Sequence, residues 1–169
     1  ELDDEELEPF WERLEQLDVP LLIHPHYVVG PDRMLGYYLR NLTGNPFETA
    51  LAGARLILGG VLERHPKLKI ILSHGGGALP GIFPRILHGF SVRPESRQRG
   101  RDPEGSFQKL FYDTIVFDPR ALRQLVDTVG VTQVVLGTDY PFDMSLSDPV
   151  TFVQGSGLST DTVQHIYDN

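Results

Sequence analysis

Apolar runs of strand length alternate along the chain with stretches of helical period. The runs "LLIH" from Leu21, "KIILSH" from Lys69, "FYDTIVF" from Phe111 and "VVLGTD" from Val134 each read as a strand buried on both faces. Strands alternating with helices predict a parallel sheet joined by crossover helices. The first helix is expected from about Asp4 to Leu17, where Leu7, Phe10, Trp11, Leu14 and Leu17 recur at helical spacing. The second is announced by "GNPFETA", with Asn45 as cap, Pro46 at the first helical position and Glu48 completing a capping box; it should run to Arg64 and stop before Pro66. A third follows Gly75, Gly76 and Gly77, and Pro80 and Pro84 predict a broken or offset start for it. "PRALRQLVDTVG" makes a fourth helix that Gly130 ends.

Two longer connections interrupt the rhythm: "PHYVVGPDRMLGYYLRNLTG" after the first strand, and "SVRPESRQRGRDPEGS" before the third. Long loops in α/β units carry function or disorder. There is no fixed-period repeat and no low-complexity tract, so residues 1–169 read as one domain.

The informative polar residues are those that close the apolar runs. The first strand ends in His24, the second in His74 and the fourth in Asp139. Parallel α/β folds gather ligands at the carboxyl ends of their strands, so these three groups are placed to converge. Imidazole and carboxylate suit a divalent transition metal, and a site with few protein ligands keeps a position open for water, whose pKa the metal lowers toward about 7. Taken singly, each residue has a plainer explanation. His24 is then a hydrogen-bonded strand-end imidazole, His74 a partner of the glycine-rich turn, and Asp139 a cap for the turn after it. The same pattern at three of four strand ends favours convergence.

The other candidates are weaker. No Lys-Ser or Lys-Thr pair follows Gly75 to Gly77, so they do not form a phosphate loop; they permit a sharp reversal or a close backbone approach. His26 follows Pro25 and belongs to the loop, as pocket wall or surface. His65, beside Pro66 at a helix end, is structural, and His88 and His165 have no strand-end context.

Composition narrows the chemistry. There are 15 Lys plus Arg against 23 Asp plus Glu, a net charge of -8, which disfavours nucleic acid as a partner. No apolar run approaches the roughly 20 residues of a membrane span, and a cytoplasmic enzyme is the default expectation. Without cysteine, any metal must use His, Asp or Glu. The chain opens on "ELDDEELEPFWERLEQLD" without an initiator Met, so an upstream portion is expected.

The ordered motifs "IHPH", "SHGGG", "HGFSVRPE" and "LGTDYPF" resemble the amidohydrolase-related decarboxylase family, over about Leu21 to Asp161. The resemblance implies an α/β fold: the C-terminal part, strands five to eight, of a (β/α)8 TIM barrel of the metal-dependent hydrolase type. It implies His24 and Asp139 as metal ligands, with zinc as the usual metal. It also implies His74 in proton transfer beside a metal-bound water, Arg93 on a substrate carboxylate across a homodimer interface, and Phe142 near the substrate. The activity implied is decarboxylation of a small unsaturated or aromatic carboxylic acid without an organic cofactor. The alternatives are metal-dependent hydrolysis of a lactone or related acyl compound, and an inert fragment. Two departures stand out: His26 and Tyr27 occupy positions where the family's decarboxylase has Trp and Asp, and the His-x-His ligand pair of the family's first strand has no counterpart here. Such barrels need about 250 residues, which agrees with the shortfall.

Overall fold

The computed structural model describes residues 1–169. Four parallel strands, β1 (Pro20–Ile23), β2 (Lys69–Leu72), β3 (Phe111–Asp113) and β4 (Val134–Val135), form one sheet in the order β1-β2-β3-β4. Eight α-helices accompany them: α1 (Glu8–Leu17), α2 (Asn45–Leu58), α3 (Val61–Arg64), α4 (Leu79–Val92), α5 (Pro103–Phe107), α6 (Pro119–Val129), α7 (Pro149–Gln154) and α8 (Thr160–Asp168). All four expected strands exist, and they pair in parallel as expected. The last two are shorter than their apolar runs, because the backbone beyond Asp113 and Val135 turns toward side-chain partners instead of continuing the ladder.

Only one face of the sheet is covered. Ile70, Leu72, Tyr112 and Val134 are wholly buried beneath the helices and belong to one cluster of 20 buried apolar residues that also holds Trp11, Leu56, Leu79 and Leu122. On the opposite face Leu22 is 57% exposed, and Ile71 and Val135 are half-buried. β1 and β4 each pair on one side only. The sheet is therefore an arc with a dry outer face, a bare inner face and two free edges, the arrangement expected of part of a barrel.

Local chemistry explains where the helix boundaries depart from expectation. Asn45 is helical rather than a cap, because a π-helical turn over Arg40–Gly44 runs straight into α2. Glu48 accepts from the Val29 N–H at 3.0 Å instead of closing a capping box, which ties the long first loop to α2. The expected helix to Arg64 breaks at Gly60, whose φ of 71° is left-handed, so α2 and α3 are separate. α4 tolerates Pro84 without interruption; the offset start is a 3-10 turn at His74–Gly76. α6 matches its pattern, with Gly130 at its end and the Asp118 carboxylate accepting from Arg120 N–H at 2.7 Å. The expected first helix is a 3-10 turn over Glu5–Leu7 followed by α1, and of its apolar stripe only Trp11 is fully buried, with Leu7 and Leu14 partly buried against the core and Phe10 and Leu17 exposed. His65 is buried between α1 carboxylates, with Nε2 2.9 Å from Glu8, in keeping with a structural role.

Gly77 sets the turn that leads into α4. Its φ is 60° and ψ −128°, and a Cβ there would lie 2.1 Å from the Pro46 carbonyl oxygen. Gly77→Ala should therefore cost at least about 2 kcal/mol, from strain and forced separation of α2 from the turn. A urea midpoint equal to wild type would refute this reading of the turn.

Candidate functional site

His24, His74 and Asp139 each follow the carboxyl end of a strand, and the sheet brings them together. One ligand atom from each lies within 4.8 Å of the other two. His24 Nε2 is 3.2 Å from Asp139 Oδ1, and His74 Nε2 is 3.7 Å from Asp139 Oδ2. The two imidazoles meet edge to face at 5.0 Å, and the Phe142 ring stacks on His24 at 5.3 Å with 10° between planes. All three residues are half-buried, so the group is open to a small ion from solvent.

The backbone that presents them is unusual. His74 and Asp139 have φ of 58° and 61°, left-handed values that ordinary side chains avoid, and both turn their side chains out of the strand direction. At β2 the turn is held by Asp113 at the end of β3. Its carboxylate accepts from His74 N–H at 3.1 Å, Gly75 N–H at 2.8 Å and Ile115 N–H at 3.1 Å. Burial pushes the Asp113 carboxyl up to about 6 despite these three donors, so it is mainly ionised and accepting at neutral pH. Burial also lowers the pKa of His74, partly offset by the Asp139 carboxylate, which leaves a neutral imidazole at neutral pH. Near β4, Thr114 Oγ1 accepts from Gly137 N–H at 3.1 Å and so carries the β3–β4 connection toward Asp139.

Two concavities flank the group. One of about 550 Å³ lies over the bare inner face, lined by Leu22, Ile71, Val135 and Leu136 and reaching His24, Asp139 and Phe142. Another of about 320 Å³ lies between His74, Asp139, the π-helical turn and Met144. His26 lines a smaller recess of about 180 Å³ with His24, which fits a pocket-wall position. Arg93 is elsewhere: it caps α4, its side chain is 67% exposed, and its guanidinium pairs with Glu95 at 2.8 Å. Asp113 escaped the sequence reading. Its signal was a lone carboxylate inside the apolar run "FYDTIV", where only a hydrogen-bonding duty makes burial tolerable.

A pairing of two imidazoles with one carboxylate at the mouth of a parallel sheet matches the donor set that divalent transition metals take, and the residues present fit such an ion. The sequence profile described as Amidohydrolase matches residues 1–167. A 2-amino-3-carboxymuconate-6-semialdehyde decarboxylase from Dictyostelium discoideum is 43% identical over 145 residues, covering 85% of this chain and 40% of that protein. The crystal structure of 5-carboxyvanillate decarboxylase from Sphingomonas paucimobilis superposes with a TM-score of 0.84 at 26% identity, over 97% of this chain and 51% of that one. A dihydroxybenzoic acid decarboxylase from Polaromonas, solved with manganese and 2-nitroresorcinol, gives 0.82 at 26% identity, over 98% and 52%. The chain thus spans about half the length of the proteins it matches, and the arc of four strands is a partial TIM barrel.

Removing the Asp113 carboxylate should release the turn that carries His74. Asp113→Ala leaves the buried N–H groups of Gly75 and Ile115 and the part-buried N–H of His74 without their acceptor, at about 1–3 kcal/mol for each buried group. Thermal or urea unfolding checks this, and fast amide exchange at His74 and Gly75 should accompany the loss. Unchanged protection at those two amides would contradict it.

Proposed function

The chain belongs to the amidohydrolase family, and from that premise we propose that it supplies the C-terminal half of the active site of a metal-dependent decarboxylase. The substrate is a small unsaturated or aromatic carboxylic acid. The observation that carries this reading is the convergence of His24, His74 and Asp139 within 4.8 Å, in a chain 43% identical to a decarboxylase. His24 and Asp139 would hold a divalent metal. Zinc is the family expectation, and the manganese of the Polaromonas neighbour fits the same donor types equally well. When bound, such a cation supplies Lewis acidity and an acidified water.

The chain's own residues do the rest. His74, kept neutral by burial, takes up a proton from solvent and delivers it to the carbon from which carbon dioxide leaves. Breaking that C–C bond leaves an electron pair on the carbon, and the delivered proton takes it up. Phe142, stacked on His24, presents an apolar face to a planar substrate. Arg93, an exposed guanidinium, binds a carboxylate in a second protomer of a homodimer, where a bidentate contact would replace its pairing with Glu95.

In the full-length protein, evolved carbon dioxide from an aromatic or unsaturated acid supports decarboxylation. Ring opening of a lactone without gas would move the assignment to a hydrolase. His24→Ala and Asp139→Ala should each cut bound metal and carbon dioxide release by roughly 100-fold or more; unchanged metal content by elemental analysis would remove those two from the ligand set. Arg93→Ala should raise KM about tenfold or more with a smaller change in kcat. Normal KM together with normal kcat would exclude it from substrate binding.

A further inference from the structure

In the loop after β1, Gly36, Tyr37 and Tyr38 have φ of 80°, 50° and 59°, and the Leu39 N–H bonds the Gly36 carbonyl at 3.1 Å. This is a β-turn with left-handed backbone at both central positions, where glycine or asparagine is the ordinary choice and an aromatic residue is strained. Tyr38 has partners on two sides. Its carbonyl accepts from the Asn41 and Leu42 N–H groups, both at 3.0 Å, where the π-helical turn begins. Its hydroxyl donates to the Asp143 carboxylate, 3.0 Å from Oδ1 and 3.1 Å from Oδ2.

Asp143 belongs to the loop after β4, and β1 and β4 are the outermost strands of the sheet. That loop closes on itself: the Leu146 N–H bonds the Thr138 carbonyl at 2.8 Å, and the Phe142 N–H bonds the Asp139 carbonyl at 3.0 Å. Its tip, residues 140–143, is exposed throughout, and Phe142 at 52% exposure is not held by the core. Yet the Phe142 ring lies flat against His24. All hydrogen bonds from the tip to another segment are those of Asp143, so Tyr38 ties the tip to the loop after β1. A hydroxyl donating to a carboxylate is a strong contact of its kind, and this one joins loops from opposite ends of the arc.

We propose that Tyr38 and Asp143 are positioning residues for the reaction: their hydrogen bond holds Phe142 against His24 and so sets the apolar face on which the substrate lies. What that face binds rests on the decarboxylase reading; the tether itself concerns only the chain's own loops. Neither residue lines the concavities around His24, His74 and Asp139, so the pair acts through Phe142. The left-handed turn lets one residue give a carbonyl to the π-helical turn and a hydroxyl to the opposite loop, a duty glycine could not perform there.

The test uses the full-length, zinc-loaded protein with isotope-labelled histidine. An aromatic ring stacked on an imidazole moves its carbon-bound proton resonances upfield, so the His24 signal reports whether Phe142 is in place, and Phe142→Leu supplies the unstacked reference. Tyr38→Phe and Asp143→Ala should each carry that signal most of the way to the reference. Each should also raise KM about tenfold, with kcat and metal content within about twofold of wild type. The probe acids are 2,6-dihydroxybenzoate and 2-amino-3-carboxymuconate-6-semialdehyde, with KM read on the one that releases carbon dioxide. The double variant should be no worse than either single one, because both remove the same bond. Asp143→Asn, whose amide carbonyl still accepts from the tyrosine hydroxyl, should restore both signal and KM. Both side chains are exposed, so these variants keep the fold. A role confined to stability would lower the urea midpoint and leave signal and KM at wild-type values. That result, effects that add in the double variant, or a normal KM in a Tyr38→Phe enzyme that evolves carbon dioxide would overturn the proposal. A displaced signal without carbon dioxide from either acid would leave the tether standing and reject the decarboxylase reading. Carbon dioxide release with an unmoved signal in Tyr38→Phe would do the reverse.

Discussion

The Asp113 carboxylate is the contact on which the site depends. It lies at the end of β3, only 4% exposed, and gathers the N–H groups of His74, Gly75 and Ile115 from two chain segments. A buried carboxylate without such donors would not persist as an anion, and three N–H groups without it would each lack a partner. The exchange is mutual, and its geometric product is a fixed turn after β2. His74 faces the His24 ring at 5.0 Å because that turn is fixed. The Asp139 end is held separately, through Thr114 and Gly137. The strand β3 and its continuation thus carry the positions of two of the three converging residues, His74 and Asp139, through hydrogen bonds between neighbours.

Much of this was legible in the sequence, for a definite reason. An apolar run interrupted by His or Asp states both that a strand is buried and where it surfaces, and His24, His74 and Asp139 were readable on that ground alone. The parallel sheet followed from the alternation of strands with helices. Caps and breaks were less legible. Asn45, Pro46 and Glu48 carry a capping-box spelling, yet the π-helical turn before them had already started the helix, and Glu48 was claimed by Val29 from 19 residues away. Gly60 ended α2 through a backbone angle that no side-chain pattern announces. Asp113 was missed because its role is to accept N–H groups from a distant loop, and long-range acceptance leaves no local spacing to detect.

The sheet shows a related division between what neighbours supply and what the chain supplies itself. Its outer face is sealed by α-helices and holds the core, whereas Leu22, Ile71 and Val135 on the inner face meet a concavity of about 550 Å³. Apolar positions left bare on that scale belong to an interface rather than to a finished surface. The same concavity reaches His24 and Asp139, so the converging residues open onto this bare face.

The left-handed backbone at His74 and Asp139 carries an evolutionary cost. Glycine relieves strain at such positions, and its replacement of either residue would ease the fold while deleting a side chain of the converging group. Selection for thermal endurance alone would thus pull both positions toward glycine, and only selection on turnover would hold them. Heat-hardened relatives bred without an activity screen should be inspected at these two residues first.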